Sequence, residues 1–241
     1  MKGSLNAVEF ANTVEKAFLE CSDRFNIRKV PVADGGDFTG EILKRALLAK
    51  TVKLKVKGPL GEDVDAVYAI ADKTAIIEMA DASGIKLLKT EQLNPMKAST
   101  FGTGQLISDA VKRGCNEIFL GIGGSATVDG GSGMLEALGF QLLDENNKKL
   151  SGNGKNISCV KKINQPDLSS NITFKIISDV NNPLLGEKGA AKIFGPQKGA
   201  DDEMVNRLEE GLKNWSALIE KKSGKQQAGR EGAGAAGGIA V

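Results

Sequence analysis

An α/β fold is what this sequence predicts, and three observations predict it. Residues 117–139, EIFLGIGGSATVDGGSGMLEALG, read as a short apolar strand, a glycine-dense loop carrying Asp129, and a helical pattern. Arg28 to Val32 followed by ADGGDFTGEILKRALLA repeats the order strand, loop, helix. Between residues 51 and 79 the pattern changes to alternating strands, which adds antiparallel pairs to a fold that otherwise reads as parallel.

In chain order, Ser4 is a candidate N-cap for a helix that sets Val8, Ala11, Val14 and Phe18 on one face. After the Arg28 to Val32 strand, Asp34, Gly35, Gly36 and Asp37 make a strand-to-helix loop. Val52, Leu54 and Val56 alternate with Lys53, Lys55 and Lys57, and Val64, Ala66, Tyr68 and Ile70 alternate again beyond a Gly58-Pro59-Leu60-Gly61 turn. The lysines read as a solvated strand face. A strand from Ala75 to Met79 leads into Asp81-Ala82-Ser83-Gly84, then a hydroxyl-rich loop with Ser99, Thr100 and Thr103 opens a helix that ends at Gly114.

The chain continues with the glycine loop, and Thr173 to Ser178 reads as a buried strand with Asp179 at its C-terminal end. Open α/β sheets place ligand-binding groups at that end. Asn181, Asn182 and Pro183 then turn the chain. Met204, Leu208, Leu212, Trp215 and Ile219 recur at helical spacing, which predicts a core-facing helix ending near Gly224. The polar stretch KSGKQQAGRE predicts a mobile linker, and GAGAAGGIAV the start of a glycine-led helix.

Composition excludes several function classes. With 32 basic and 30 acidic residues the net charge is +2, which argues against nucleic acid as a partner and for small-molecule chemistry. Cys21, Cys115 and Cys159 are far apart and never in CxxC spacing, so a disulfide framework or a zinc site is not expected. Without an apolar signal core or a window of about 18 consecutive apolar residues, the expectation is a soluble cytoplasmic protein with no membrane association. The chain has no histidine, which removes Ser-His-Asp and Cys-His catalysis, HExxH metal sites and phosphohistidine chemistry. A base must be Asp, Glu, Lys, Tyr or Cys, and a metal would have oxygen ligands, which suits Mg²⁺.

The glycine loop points to phosphate. Gly121, Gly123, Gly124, Gly130, Gly131 and Gly133 let the backbone bring N–H groups close to an anion, and the helix beginning near Ser132 would add its positive end. Three readings compete. A Walker A loop needs GxxxxGK[ST], which occurs nowhere. A dinucleotide fingerprint fits better, since Gly121 to Ala126 has a GxGxxA form and Asp144 falls where a ribose-binding acid would sit. Asp129 stands against it: a bare carboxylate about 4 Å from a phosphate charge would cost about 4 kcal/mol at an effective dielectric of 20, and a bound Mg²⁺ reverses the sign.

At this point the residues resemble a known family, the bacterial type of glycerate kinase. The resemblance runs the length of the chain through KGSLNAVEFA, PVADGGDFTGE, GPLGEDV, IEMADASGI, NPMKASTFGTGQLI, GIGGSATVDGGSGMLEALG, SDVNNPLLG, FGPQKGA and GAGAAGG, in that order. It implies transfer of the ATP γ-phosphoryl group to D-glycerate. It also implies two α/β domains: a Rossmann-like domain formed by the chain ends and an inserted mixed-sheet domain, divided here into residues 1–50 and 51–241. Members usually begin with a strand and an Asp before the segment matching Lys2-Gly3-Ser4 and continue beyond the one matching Gly232 to Gly238, so a chain lacking both portions is expected. Asp37-Phe38 stands where the family usually has Glu-Gly.

Phosphoryl transfer rests on positioning and charge neutralisation. The expected catalytic residues are Asp34, Asp129 and Asp179, each in a Gly- or Asn-rich turn after a predicted strand, with Asp179 favoured for Mg²⁺ and Asp34 or Asp129 near the transferring group. Expected binding residues are Lys2, Ser4, Gly35, Gly36, Ser83, Thr100, Thr103, Gly123, Gly124, Ser125, Gly130, Asn182 and Lys198, with Lys2 or Lys198 pairing with the substrate carboxylate or the phosphates. On this reading Asp129→Asn abolishes turnover and leaves thermal stability nearly unchanged. An NAD-dependent oxidoreductase and a non-catalytic phosphate-binding fragment are the alternatives, and a homo-oligomer is compatible with the sequence.

Overall fold

The structure, a computed structural model, describes residues 7–30, 39–166 and 171–241. In chain order the helices and strands are α1 (Ala7–Cys21), α2 (Thr39–Ala46), β1 (Lys50–Lys57), β2 (Asp63–Ala71), β3 (Thr74–Glu78), α3 (Ala80–Ser83), α4 (Phe101–Lys112), β4 (Glu117–Gly121), α5 (Ser132–Ala137), β5 (Gln141–Leu143), β6 (Lys149–Leu150), β7 (Lys162–Asn164), β8 (Thr173–Ile177), α6 (Ala190–Phe194) and α7 (Asp202–Ser223). The α/β expectation holds. Five strands form one mixed sheet in the order β1-β2-β3-β4-β8, and β6-β5-β7 form a second, smaller one.

The mixed character follows from the connections. A tight turn joins β1 to β2, closed by hydrogen bonds from Gly58 N–H to Glu62 O and from Gly61 N–H to Gly58 O, so that pair is antiparallel with Val56 opposite Val64. β2 and β3 are also antiparallel. From β3 to β4 the chain crosses over through α4, which makes β3 and β4 parallel, and β8 adds a further parallel strand. Leu106, Ile107 and Ala110 of α4 pack with Ala75, Ile77, Ile118 and Leu120 of the sheet in one buried cluster.

The second core sits around α7. Asp201 caps this helix by accepting from Met204 N–H at 2.8 Å, and Gly224, with φ +71, ends it in the left-handed region. Leu208, Leu212 and Trp215 are buried with Val128, Leu142, Ile157 and Leu184, as the helical spacing predicts. Trp215 also donates its indole N–H to Gly130 O at 2.8 Å, which ties α7 to the glycine loop. Trp215→Phe leaves that carbonyl without its partner and opens space in the core. A loss of about 2–4 kcal/mol is expected in a urea titration. It should be followed by circular dichroism, since Trp215 is the chain's one tryptophan.

Four local expectations are corrected. β8, expected as a buried strand, ends the described sheet and is exposed, with Phe174 and Ile176 each 42% exposed. Arg28 to Val30 form no strand, and the remainder of that expected strand lies outside the described residues. The polar stretch after α7 is a tied return loop: Glu220 accepts from Gln227 N–H and Ala228 N–H, and Leu184 N–H donates to Ala228 O. The glycine-rich end forms a single tight turn at Ala235–Gly237, because Ala236, Gly237 and Gly238 take positive φ. It docks instead on the glycine loop, with Gly130 N–H donating to Gly237 O at 3.0 Å. A Cβ at Gly237 would stand 2.2 Å from Thr127 O. Of the first expected helix, α1 carries Val8, Ala11 and Val14 half-buried, while Phe18 is exposed and packs edge-on against Phe25; the Ser4 cap lies outside the described residues.

Candidate active site

The parallel strands β3, β4 and β8 end side by side, and their C-terminal extensions build the site. Met79 N–H donates to Gly121 O, Ile85 N–H to Gly124 O and Ala126 N–H to Ser83 O, so the segment after β3 pins the loop after β4. Between those fixed points lie Gly123, Gly124 and Ser125. None of the described groups accepts a hydrogen bond from their three successive N–H groups. Gly124 takes φ +70, the left-handed conformation that suits glycine. Successive unpaired N–H groups in such a turn form a concavity for an anion.

Lys198 stands beside them. It lies in a 3₁₀ turn, Pro196–Lys198, whose end is set by Gly199 at φ +90. Its side chain is 2% exposed, and Nζ donates to Ser125 Oγ at 2.8 Å and to Thr127 O at 2.6 Å. Burial pulls the ammonium down to about 7, against a small opposing pull from Asp129. Asp179, exposed just past β8, lines the same cavity of about 350 Å³, as do Gly123, Gly124 and Ser125. Five of the residues expected from sequence are thereby brought together. Ser178 and Gln197 also line it and were missed; Gln197 precedes Lys198 in FGPQKGA, which was the available signal.

A second cavity of about 670 Å³ shares Ile85 and Gly124 with the first. Val67, Ala69 and Ile76 give it an apolar wall, and its charged lining is mixed, Lys44, Arg45 and Lys86 with Glu78 and Asp81, Lys86 being paired with Asp81 at 2.6 Å. Both volumes fall in the range of ligand pockets.

Asp129 occupies a different place from the one expected. It is fully buried, and its carboxylate accepts from Thr100 N–H, Thr100 Oγ1–H, Gly131 N–H and Gly133 N–H at 2.8–3.2 Å. Burial pushes the carboxyl upward, opposed by these donors. The N-terminus of α5, which the sequence offers to a phosphate, is therefore filled by the chain's own carboxylate. Thr100 Oγ1 in turn accepts from Met134 N–H, so Asp129 and Thr100 clasp two loops together.

The remaining expected residues divide in two. Ser83 and Thr103 share a buried hydroxyl bond at 2.8 Å, Gly130 bonds Trp215 and Gly237, and Asn182 donates to Lys188 O and accepts from Gly234 N–H; none of these lines the smaller cavity. Lys2, Ser4, Asp34, Gly35 and Gly36 lie outside the described residues. Asp144 accepts from Asn146 N–H and Lys148 N–H within the β5–β6 hairpin, a turn-forming role that removes it as a ribose ligand.

The residues present fit a magnesium-bound phosphate. Among the described residues no three His, Cys, Asp or Glu side chains gather into a metal cage. Mg²⁺ is commonly held by one or two carboxylates with substrate phosphates and water, and Asp179 supplies one such oxygen donor beside the unpaired N–H groups.

Fold and site together define an α/β protein with a cleft lined by unpaired N–H groups and a buried lysine at the C-terminal ends of its parallel strands. The chain belongs to the glycerate kinase family, whose model matches residues 1–241. It is 43% identical to a glycerate kinase of Halalkalibacterium halodurans over 99% of its own length and 64% of that protein's. To the glycerate 2-kinase of Escherichia coli it is 41% identical over the same shares. A crystal structure assigned as glycerate kinase 2 from Salmonella typhimurium LT2 superposes with a TM-score of 0.88 at 38% identity, covering 99% of this chain and 65% of that one. The chain thus spans just under two thirds of the length of these relatives. Among the described residues no helix is long and apolar enough to cross a membrane.

Proposed function

We propose that this chain carries the phosphate-handling site of an ATP-dependent kinase that phosphorylates a hydroxyl of D-glycerate. The observation that carries the reading is the cradle: the unpaired N–H groups of Gly123, Gly124 and Ser125 beside the Lys198 ammonium and the Asp179 carboxylate. In phosphoryl transfer the protein positions groups and spreads charge. The three N–H groups hold equatorial phosphate oxygens without needing to reorganise. Lys198 adds a cation, and Asp179 would supply a carboxylate oxygen to Mg²⁺. When bound, the metal neutralises charge on the transferring group.

The larger cavity, with its apolar wall, takes the nucleoside end of ATP. Asp34 remains the carboxylate proposed for the glycerate hydroxyl, and Lys2, Ser4, Gly35 and Gly36 remain proposed binding residues. Asp129 acts on the reaction only through the loop it clasps, and Ser83, Thr100, Thr103, Gly130 and Asn182 likewise support the site. Residues 1–50 belong to a Rossmann-like domain and 51–241 to the inserted one. The protein works in the cytoplasm, with no nucleic-acid or membrane partner, and a homo-oligomeric state is compatible with this reading.

An ADP-release assay with Mg-ATP and D-glycerate tests the reading. It should be run on this chain and on one lengthened to the full span of its relatives, with phosphorus NMR assigning the product as the 2- or 3-phosphate. Turnover dependent on D-glycerate is expected in the longer chain. Its absence there, or thermal protection by NAD and none by Mg-ATP, overturns the proposal.

A further inference from the structure

Lys198 is a buried amine whose protonated form has no counter-charge at bonding distance. Its two partners, Ser125 Oγ and Thr127 O, are neutral. The charged groups that face it are two. Asp129, from the loop after β4, has both oxygens taken up by four donors. Asp179, from the end of β8, lines the same cavity and makes no bond to Nζ. The other walls, from α6, from Ser178 and Gln197, and from Ala235 and Ala236, are neutral. An enclosed ammonium with only neutral acceptors is costly, and an entering anion removes that cost.

A protonated lysine has three N–H donors, and two are already used. The third is left for the cavity, next to the unpaired N–H groups of Gly123, Gly124 and Ser125. We propose that an oxyanion entering this cleft is taken up together with a proton from solvent, which binds the Lys198 amine and makes the resulting ammonium the anion's partner. The inference rests on the cradle described above and is independent of which hydroxyl is phosphorylated.

The lowered Lys198 value supports this. In the empty protein the folded chain sheds a proton near pH 7 that the unfolded chain keeps to about 10.4. Folding stability from this group therefore rises with pH across that window, and a bound anion weakens the dependence.

Sulfate is the probe, because it does not titrate near neutrality. Calorimetry at pH 8, in buffers of different ionisation enthalpy, is expected to show uptake of close to one proton per sulfate. Affinity should fall about 10-fold per pH unit above pH 8. Carbon-13 NMR of labelled lysine in the unaltered chain is expected to show one Cε titrating near pH 7, moving upward by two units or more when sulfate saturates the site. Lys198→Met should bind sulfate more weakly and with no proton uptake. Sulfate binding without proton uptake, no sulfate binding at tens of millimolar, or a full set of lysines titrating at ordinary values each overturns the inference. D-glycerate turnover without proton linkage overturns it and leaves the kinase reading standing; linkage without turnover does the reverse.

Discussion

Asp129→Ala is expected to cost about 3–5 kcal/mol of folding stability, seen as an earlier midpoint in urea followed through Trp215 fluorescence. The change deletes the common acceptor of Thr100 N–H, Thr100 Oγ1–H, Gly131 N–H and Gly133 N–H at a site with no exposure. Each buried donor left unpaired costs about 1–3 kcal/mol, partly recovered by local relaxation. Asp129→Asn should fall between the two states. Its oxygen can keep the Thr100 and Gly133 donors, but its NH₂ then faces Gly131 N–H, and a loss of about 1–3 kcal/mol follows. This reverses the sequence expectation of an inactive but stable variant. A loss of less than 0.5 kcal/mol with activity abolished would restore Asp129 to the chemistry.

The buried, fully bonded position of Asp129 was not legible in the sequence, for a physical reason. Sequence showed a carboxylate among glycines, and glycines permit close approach of an anion whether that anion is a ligand or the chain itself. Gly131 and Gly133 give their N–H groups to Asp129, whereas Gly123 and Gly124 leave theirs open, and no pattern in GIGGSATVDGGSG distinguishes the two halves. What separates them is tertiary: the Thr100 loop covers one half, and Lys198, 73 residues from Ser125, stands beside the other. The β1–β2 hairpin and α7 were legible because periodicity is local, as in the Val56 to Val64 pairing and the Leu208 to Trp215 stripe. The small β6-β5-β7 sheet was not, since strands of two or three residues are too short to show a period. The final glycine run misled for a related reason. Its positive φ values are set by docking against Thr127 and Gly130 rather than by its own sequence.

Asp179→Asn is expected to show the opposite profile to the Asp129 variants. Asp179 is exposed just past β8, and substitutions at such positions usually change stability by less than about 0.5 kcal/mol. In the proposed reaction it is the cavity's carboxylate for Mg²⁺, and replacing it by a neutral amide removes a charged oxygen ligand where charge on the transferring phosphoryl group must be offset. Turnover in the longer chain should fall about 10³-fold, which corresponds to about 4 kcal/mol of transition-state stabilisation. The metal requirement should shift with it: the concentration of Mg²⁺ giving half-maximal rate should rise, and Mn²⁺, which binds a weakened site more tightly, should recover part of the loss. Sulfate binding at the cradle should be unimpaired or stronger, because the variant removes a negative charge from the cavity and leaves Lys198 and the three N–H groups in place. A variant that kept full turnover with an unchanged Mg²⁺ dependence would remove Asp179 from the site and leave the cradle alone to be explained.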